Sequence, residues 1–271
     1  MAYQEILYTV DDRVAVITLN RPERMNSFNL RLRQDVVAAL KAADSDPDVR
    51  VVVIKGAGGK AFSAGYDIKE TAIAKDRTLD DWRAILGEEF QFCRSPWDCS
   101  KPVIAQIDGH CLAGGLEFAL MCDIRYCSDA SVFGVVETRF SNGILMLAMP
   151  WVVGQLSREK IFTGDTFGAD EAMRIGLVNR VFQKADLESE TMRIAKRMSR
   201  VAMACLTWNK RAINQTYAAM GFNAALQYGF EACVMMDATE TPEYKAFNAL
   251  RVEQGLGAAL KHLKESFAPF E

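Results

Sequence analysis

The chain has 271 residues, half of them hydrophobic and a quarter charged, with a formal net charge of −3. That balance suits a globular protein large enough to bury a core without disulfides or metals, and it lacks the basic excess that marks nucleic-acid binding. The seven cysteines show no C-x-x-C spacing, the two histidines are His110 and His262, and no run approaches the roughly 18 apolar residues of a membrane span. Free buried thiols, no Cys/His zinc cluster, no membrane, no nucleic acid and a cytoplasmic location are therefore expected.

In chain order, Tyr3–Val10 and Arg13–Leu19 read as two strands around the turn Asp11-Asp12, with β-formers Val14, Val16 and Thr18 in an apolar stretch. Asn20-Arg21-Pro22-Glu23-Arg24 breaks the second strand. Leu30–Ala43 is an amphipathic helix with Leu32, Val36, Val37 and Leu40 on one face, stopped before Pro47. Val49–Lys55 is a short buried strand that runs into Gly56-Ala57-Gly58-Gly59. The pattern then recurs: helix at Arg83–Cys93, strand at Pro102–Ile107, helix at Gly114–Asp123, strand at Ile124–Cys127. Such units suggest stacked turns that share one core. From Ser157 onward the pattern is almost wholly helical. The last seventy residues are so rich in Ala, Met and aromatics that a partner subunit is expected to cover part of them. The expected division is 1–200 for the core and 201–271 for a helical association region.

Two glycine-bearing loops follow strands: Lys60–Ile68, with Gly65, and Ile107–Glu117, with Gly109, Gly114 and Gly115. Glycine lets a backbone approach a ligand closely, and first-turn N–H groups of a helix lack internal partners. Both loops can therefore donate backbone N–H groups to a developing oxyanion, or simply make tight turns. A phosphate cradle at Val51–Gly59 fails, because neither G-x-G-x-x-G nor G-K-[ST] is completed.

Glu117 is a lone acid in the apolar run Gly-Gly-Leu-Glu-Phe-Ala-Leu-Met-Cys, and Glu137 follows the apolar Val132-Phe-Gly-Val-Val. A charge in such a segment is costly unless paired or functional. Burial would raise either pKa towards the range useful near neutral pH, and two such acids at one site would divide into one ionised and one protonated. Otherwise Glu117 pairs with a group elsewhere and Glu137 is exposed.

Taken together these segments resemble the crotonase superfamily. Ala61-Phe-Ser-Ala-Gly-Tyr-Asp-Ile-Lys69 resembles its first oxyanion loop. Lys101–Gly109 with Ala113–Arg125 resembles its second. Asn20-Arg21-Pro22 with Met25-Asn26, Phe162-Thr-Gly-Asp165 and Ala169–Val181 match further signatures in order, so the resemblance spans Tyr3 to Phe182.

The resemblance implies an α/β fold, a ββα spiral core with a C-terminal helical oligomerisation region, assembled as a trimer or a dimer of trimers. It implies an acyl-CoA substrate, with coenzyme A entering as part of the substrate and no metal or redox cofactor required. By position it places the thioester carbonyl on the N–H groups of Ala64 and Gly114. Enoyl-CoA hydratases of the family carry glutamates at the positions of Glu117 and Glu137. The first is expected to take the proton from water and the second to deliver one to the α-carbon. The substrate contacts implied are Arg24, Ala61, Ser63, Gly65, Tyr66, Asp67, Ile68 and Leu112. Double-bond isomerisation, thioester hydrolysis and a silent CoA-binding oligomer are the alternatives.

The sequence departs from the hydratase pattern after Glu137. A Gly-Gly-Thr is absent and Thr138-Arg-Phe-Ser-Asn-Gly-Ile-Leu-Met-Leu-Ala-Met-Pro150 stands in its place. A reshaped acyl pocket of Tyr66, Phe140, Met146, Met149 and Trp97 is expected, with core packing as the other reading.

Overall fold

The computed structural model describes residues 3–68 and 77–270. Lys69, which closes the first loop motif, lies outside the described residues. The chain begins as a hairpin: β1 (Ile6–Asp11) pairs antiparallel with β2 (Val14–Leu19), Asp11 opposite Val14. Asp12 and Arg13 both take positive φ, at 49° and 67°. That conformation matches a two-residue turn to the right-handed twist of the strands. Helix α1 (Leu30–Ser45) starts where the Asn29 side chain accepts from Leu32 N–H, and it buries Leu32, Val36, Ala39 and Leu40.

Three strand pairs then stack. They are β3 (Val51–Gly56) with β4 (Ala61–Ser63), β5 (Val103–Ile107) with β6 (His110–Leu112), and β7 (Ile124–Ser128) with β8 (Val132–Gly134). The first member of each pair joins one sheet, ordered β1-β2-β3-β5-β7 and completed by β10 (Arg180–Phe182), which is parallel from β2 onward. The second member joins another, ordered β4-β6-β8 and completed by β9 (Phe167–Gly168). Helices α2 (Leu79–Asp98) and α3 (Gly114–Leu120) close the first two turns. This is the expected spiral of β-β-α turns. Each strand of β3 and β5 is buried throughout or nearly so, and it therefore reads as a continuous apolar run rather than an alternation.

The core lies between the two sheets and the helices. Phe92 and Phe118 stack at 4.9 Å between ring centroids, and Phe28 meets both edge-on. A second cluster forms where α7 (Leu187–Met198) packs Leu187, Ile194 and Ala195 on Val51, Val53 and Ile104 of the outer sheet face.

The chain beyond Ser157 departs from the helical expectation at two places. After α4 (Met149–Val153), α5 (Ser157–Thr163) and the short strand β9 (Phe167–Gly168) comes α6 (Ala169–Arg174), then β10 (Arg180–Phe182), which adds to β7 with Arg180 opposite Tyr126. A strand of two or three residues carries no period to read. It forms because the sheet edge offers a ladder. The C-terminal part is helical: α8 (Met203–Ala219), α9 (Phe222–Asp237), α10 (Pro242–Gln254) and α11 (Leu256–Phe267). Part of its apolar surface is covered within the chain. Phe230 of α9 meets Phe90 of α2 at 5.4 Å, and Phe222 meets Trp97 at 4.7 Å. Trp208, Ile213, Met220 and Tyr228 remain more than half exposed.

Candidate active site

The two glycine-bearing loops meet. Loop one leaves β4 at Ala64 and loop two runs from β6 through Ala113 into α3. A Cβ on Gly65 would stand 3.0 Å from Gly114 N, and one on Gly114 would stand 2.5 Å from the Tyr66 ring. Gly65 also has φ +90°, which glycine adopts at no steric cost. Only glycine at both positions lets the backbones come this close. Ala113, just before α3, holds φ 53° and ψ −135°, a strained conformation for a residue with a Cβ. Its N–H donates to Gly134 O at 2.9 Å, and its carbonyl accepts from Leu116 and Glu117.

Loop one is fixed by the Asn20–Asn26 turn. Asn26 is fully buried; its amide donates to Ala57 O and Ala61 O at 3.0 and 2.8 Å, and its Oδ1 accepts from Arg21 N–H. Arg21 pairs with both Glu5 and Asp67. These residues build the site's frame, which is why a break between two strands carries so specific a motif.

The direction of each N–H on loop one decides which can meet a ligand. Ala64 N–H donates to Met25 O at 3.0 Å, Gly65 N–H to Ser63 Oγ at 3.1 Å and Asp67 N–H to Phe28 O at 3.2 Å. Tyr66 N–H meets no acceptor among the described residues, and neither does Gly114 N–H across the gap. The expected donor Ala64 is therefore corrected to Tyr66. A parallel bridge between Phe28 and Tyr66 uses the Gly65 carbonyl and the Asp67 N–H, so the Tyr66 N–H points away from the ladder. Residue order could not distinguish the two, because the neighbour that consumes the Ala64 N–H is 39 positions away.

The loops open on a cavity of about 340 Å³ whose wall includes Tyr66, Ile68, Leu112, Gly114, Glu117 and Glu137. Phe140 also lines it. Met146 and Met149 are instead core side chains, 1% and 3% exposed, and Leu145 faces the cavity in their stead. Trp97 is not in this wall either: it packs on Tyr217 and Phe222, away from the cavity. The apolar run after Glu137 has no period that separates wall from core. Of the other expected contacts, Ala61 and Ser63 are buried in β4 and Gly65 in the loop itself, Asp67 is tied to Arg21, and Arg24 is exposed on the turn Pro22–Arg24.

Glu117 is 4% exposed. Its two carboxyl oxygens accept from Leu145 N–H and Met146 N–H, both at 3.0 Å. Burial raises its pKa to about 7, against the pull of those two donors. Glu137 sits in the 3₁₀ turn Val136–Phe140. Both its carboxyl oxygens are buried, and neither has a hydrogen-bond partner of ordinary geometry among the described residues. Burial first, and then the Glu117 charge beside it, push its pKa well up. Glu137 is therefore not exposed, and its neighbour is the Glu117 carboxyl rather than a cation. The asymmetry of donors assigns the charge: Glu117, held by two N–H groups, ionises first, and Glu137, held by none, keeps its proton. Gly143 N–H donates to Asp237 at 2.7 Å, and this anchors to α9 the segment that supplies Leu145 and Met146.

The last third of the chain also reaches the site. Asp237, Tyr244, Phe247, Asn248 and Arg251 line the same cavity. The sequence offered one signal for the α10 residues, a stripe at i, i+3, i+4 and i+7, but nothing said what that stripe would face.

Known proteins agree with this architecture. Residues 9–247 match the enoyl-CoA hydratase/isomerase family. A crotonyl-CoA hydratase of Syntrophomonas wolfei is 33% identical over 79% of this chain and 83% of its own length. An (E)-benzylidenesuccinyl-CoA hydratase of Thauera aromatica is 32% identical over 92% of this chain and 98% of its own length. The crystal structure of an enoyl-CoA hydratase/isomerase from Xanthobacter autotrophicus Py2 superposes with a TM-score of 0.95, at 35% identity, covering 98% of this chain and 99% of that one. By sequence and by fold, the chain belongs to the enoyl-CoA hydratase/isomerase family of the crotonase superfamily.

Proposed function

We propose that this enzyme adds water reversibly across the double bond of a trans-2-enoyl-CoA. The observation that carries the reading is the pair Glu117 and Glu137, buried in one cavity, unequally hydrogen-bonded, and beside two unpartnered backbone N–H groups. Relatives named as hydratases support it. The thioester oxygen accepts from Tyr66 N–H and Gly114 N–H, which polarises the enoyl group towards its β-carbon. Ionised Glu117 takes a proton from water as the oxygen bonds to that carbon. Negative charge moves onto the thioester oxygen, and protonated Glu137 delivers a proton to the α-carbon. Each acid–base role contributes roughly 10²–10⁴ in rate, and each oxyanion donor about 10²–10³.

The exposed loop residues Arg24 and Ile68, with Leu112 and the frame of Ala61, Ser63, Gly65 and Asp67, are the proposed rim for coenzyme A. The protein acts as a homo-oligomer, a trimer or dimer of trimers, in which the exposed Trp208, Ile213, Met220 and Tyr228 of α8 and α9 are covered.

The test is turnover of crotonyl-CoA, followed by loss of the conjugated-thioester absorbance with the product identified by mass. A gain of one water by the wild type, with collapse in Glu117→Gln and Glu137→Gln, is expected. Release of free thiol, or an isomerised product of unchanged mass, would overturn the hydratase reading.

A further inference from the structure

Helix α10 presents Tyr244, Phe247, Asn248 and Arg251 to the cavity that holds Glu117 and Glu137. Three of the four end in hydrogen-bond donors. Among the described residues, no acceptor takes the Tyr244 hydroxyl, the Asn248 amide or the Arg251 guanidinium, and Arg251 Nε is fully shielded from solvent. A guanidinium is always charged and presents its donors as a planar fork that fits a carboxylate. Leaving Nε unmet away from solvent is costly. Carboxyl groups stand near but are committed elsewhere: Glu117 accepts from Leu145 and Met146, and Asp237 from Gly143. Glu137 keeps its proton, Glu89 pairs with Arg33, and among the described residues Arg251 forms no ion pair with any of these four carboxyls. Beside them Phe140 and Phe247 meet edge to face at 5.5 Å and supply an apolar part of the wall. Nothing in water addition to a plain alkenyl chain uses a cation there.

We infer that Tyr244, Asn248 and Arg251 form an anion subsite for the acyl group, so that the preferred substrate carries a carboxylate remote from its thioester. This rests on the acyl-CoA reading of the cavity. The aromatic pair encloses the carbon skeleton between the two ends, and the fork of Arg251 fixes the far end. A phosphate of coenzyme A offers the same chemistry, and the experiment separates the two sources.

Equilibrium binding needs no turnover, so it stands apart from the hydratase test. Glutaryl-CoA and adipyl-CoA would be compared with valeryl-CoA, hexanoyl-CoA and free coenzyme A by calorimetry. The wild-type protein is expected to hold at least one carboxylated ligand about tenfold or more tighter than its uncharged counterpart, as charge-assisted hydrogen bonds imply. Arg251→Met should erase that ratio, and Arg251→Lys should restore part of it. Two results would overturn the inference. One is equal affinity for both members of each pair in the wild type. The other is an equal loss for every ligand, free coenzyme A included, in Arg251→Met, which would place the guanidinium on a phosphate. Absence of hydration with these affinities intact would remove the hydratase reading alone.

Discussion

Gly114→Ala tests the oxyanion geometry directly, because the added methyl meets one neighbour. Its Cβ would stand 2.5 Å from Tyr66 Cε2 and 2.7 Å from Cδ2, and the next nearest atom is also in that ring. Carbon atoms settle at about 3.5–4.0 Å, so ring or loop must retreat by roughly 1 Å. The ring cannot swing away cheaply: Phe28 stands edge-on to it at 5.8 Å, and its hydroxyl donates to Glu89 O at 3.3 Å. The strain therefore passes to the backbone of Tyr66, whose N–H is the second donor. Overpacking of this kind costs about 1–3 kcal/mol in stability, and a 1 Å misplacement costs about 10²-fold in rate. Crotonyl-CoA hydration should lose about two orders of magnitude in kcat, with a smaller change in KM. The control is the same change in Tyr66→Ala, which keeps the N–H and removes the ring. There Gly114→Ala should cost several-fold less, an interaction that a double-mutant cycle reads as non-additivity. Equal losses in both backgrounds, with thermal unfolding showing both proteins folded, would refute the clash argument.

Three further outcomes follow from the same structure. Burial raises Glu137 well above the usual carboxylate range, so the folded protein keeps a proton that the unfolded chain releases. Its contribution is full below the unfolded pKa and is lost as pH rises above it, at a slope approaching about 1.4 kcal/mol per unit. Glu137→Gln should thus gain stability relative to the wild type between pH 5 and pH 7 in denaturant titrations, while losing activity; a constant difference across that range would contradict the burial argument. Lys210, 6% exposed, donates to Asp123 at 2.7 Å and to the carbonyls of Pro96 and Lys101. Lys210→Met should destabilise by about 1.5–3 kcal/mol, because it takes a charge-assisted hydrogen bond from a partly buried carboxylate that then keeps only Val103 N–H, and a loss under about 1 kcal/mol would show that Asp123 finds another partner. Sedimentation should find a trimer or hexamer, and Trp208→Glu with Tyr228→Glu should shift it towards monomer; a stable wild-type monomer would end the assembly proposal.

Local pattern alone revealed the turns of the spiral and the two acids. Long elements such as α1 and β3 announce themselves by period or by continuous burial, and an acid such as Glu117 stands out when every neighbour is apolar. The glycines of the two loops also pointed to close backbone approach, and Gly65 and Gly114 do bring the loops together. Direction and long-range partnership came from packing. Ala64 and Tyr66 are two residues apart on one loop, and which N–H remains for a ligand depends on Met25 and Phe28, which arrive from an earlier turn. The run after Glu137 has one composition throughout, yet Phe140 and Leu145 face the cavity while Met146 and Met149 fill the core, because the surrounding helices set the boundary. Trp97 was drawn into a neighbouring aromatic cluster, and Arg251, some 114 residues beyond Glu137, was brought to the same wall. Local pattern encodes local structure; a site assembled from distant segments exists only once packing has oriented each of them.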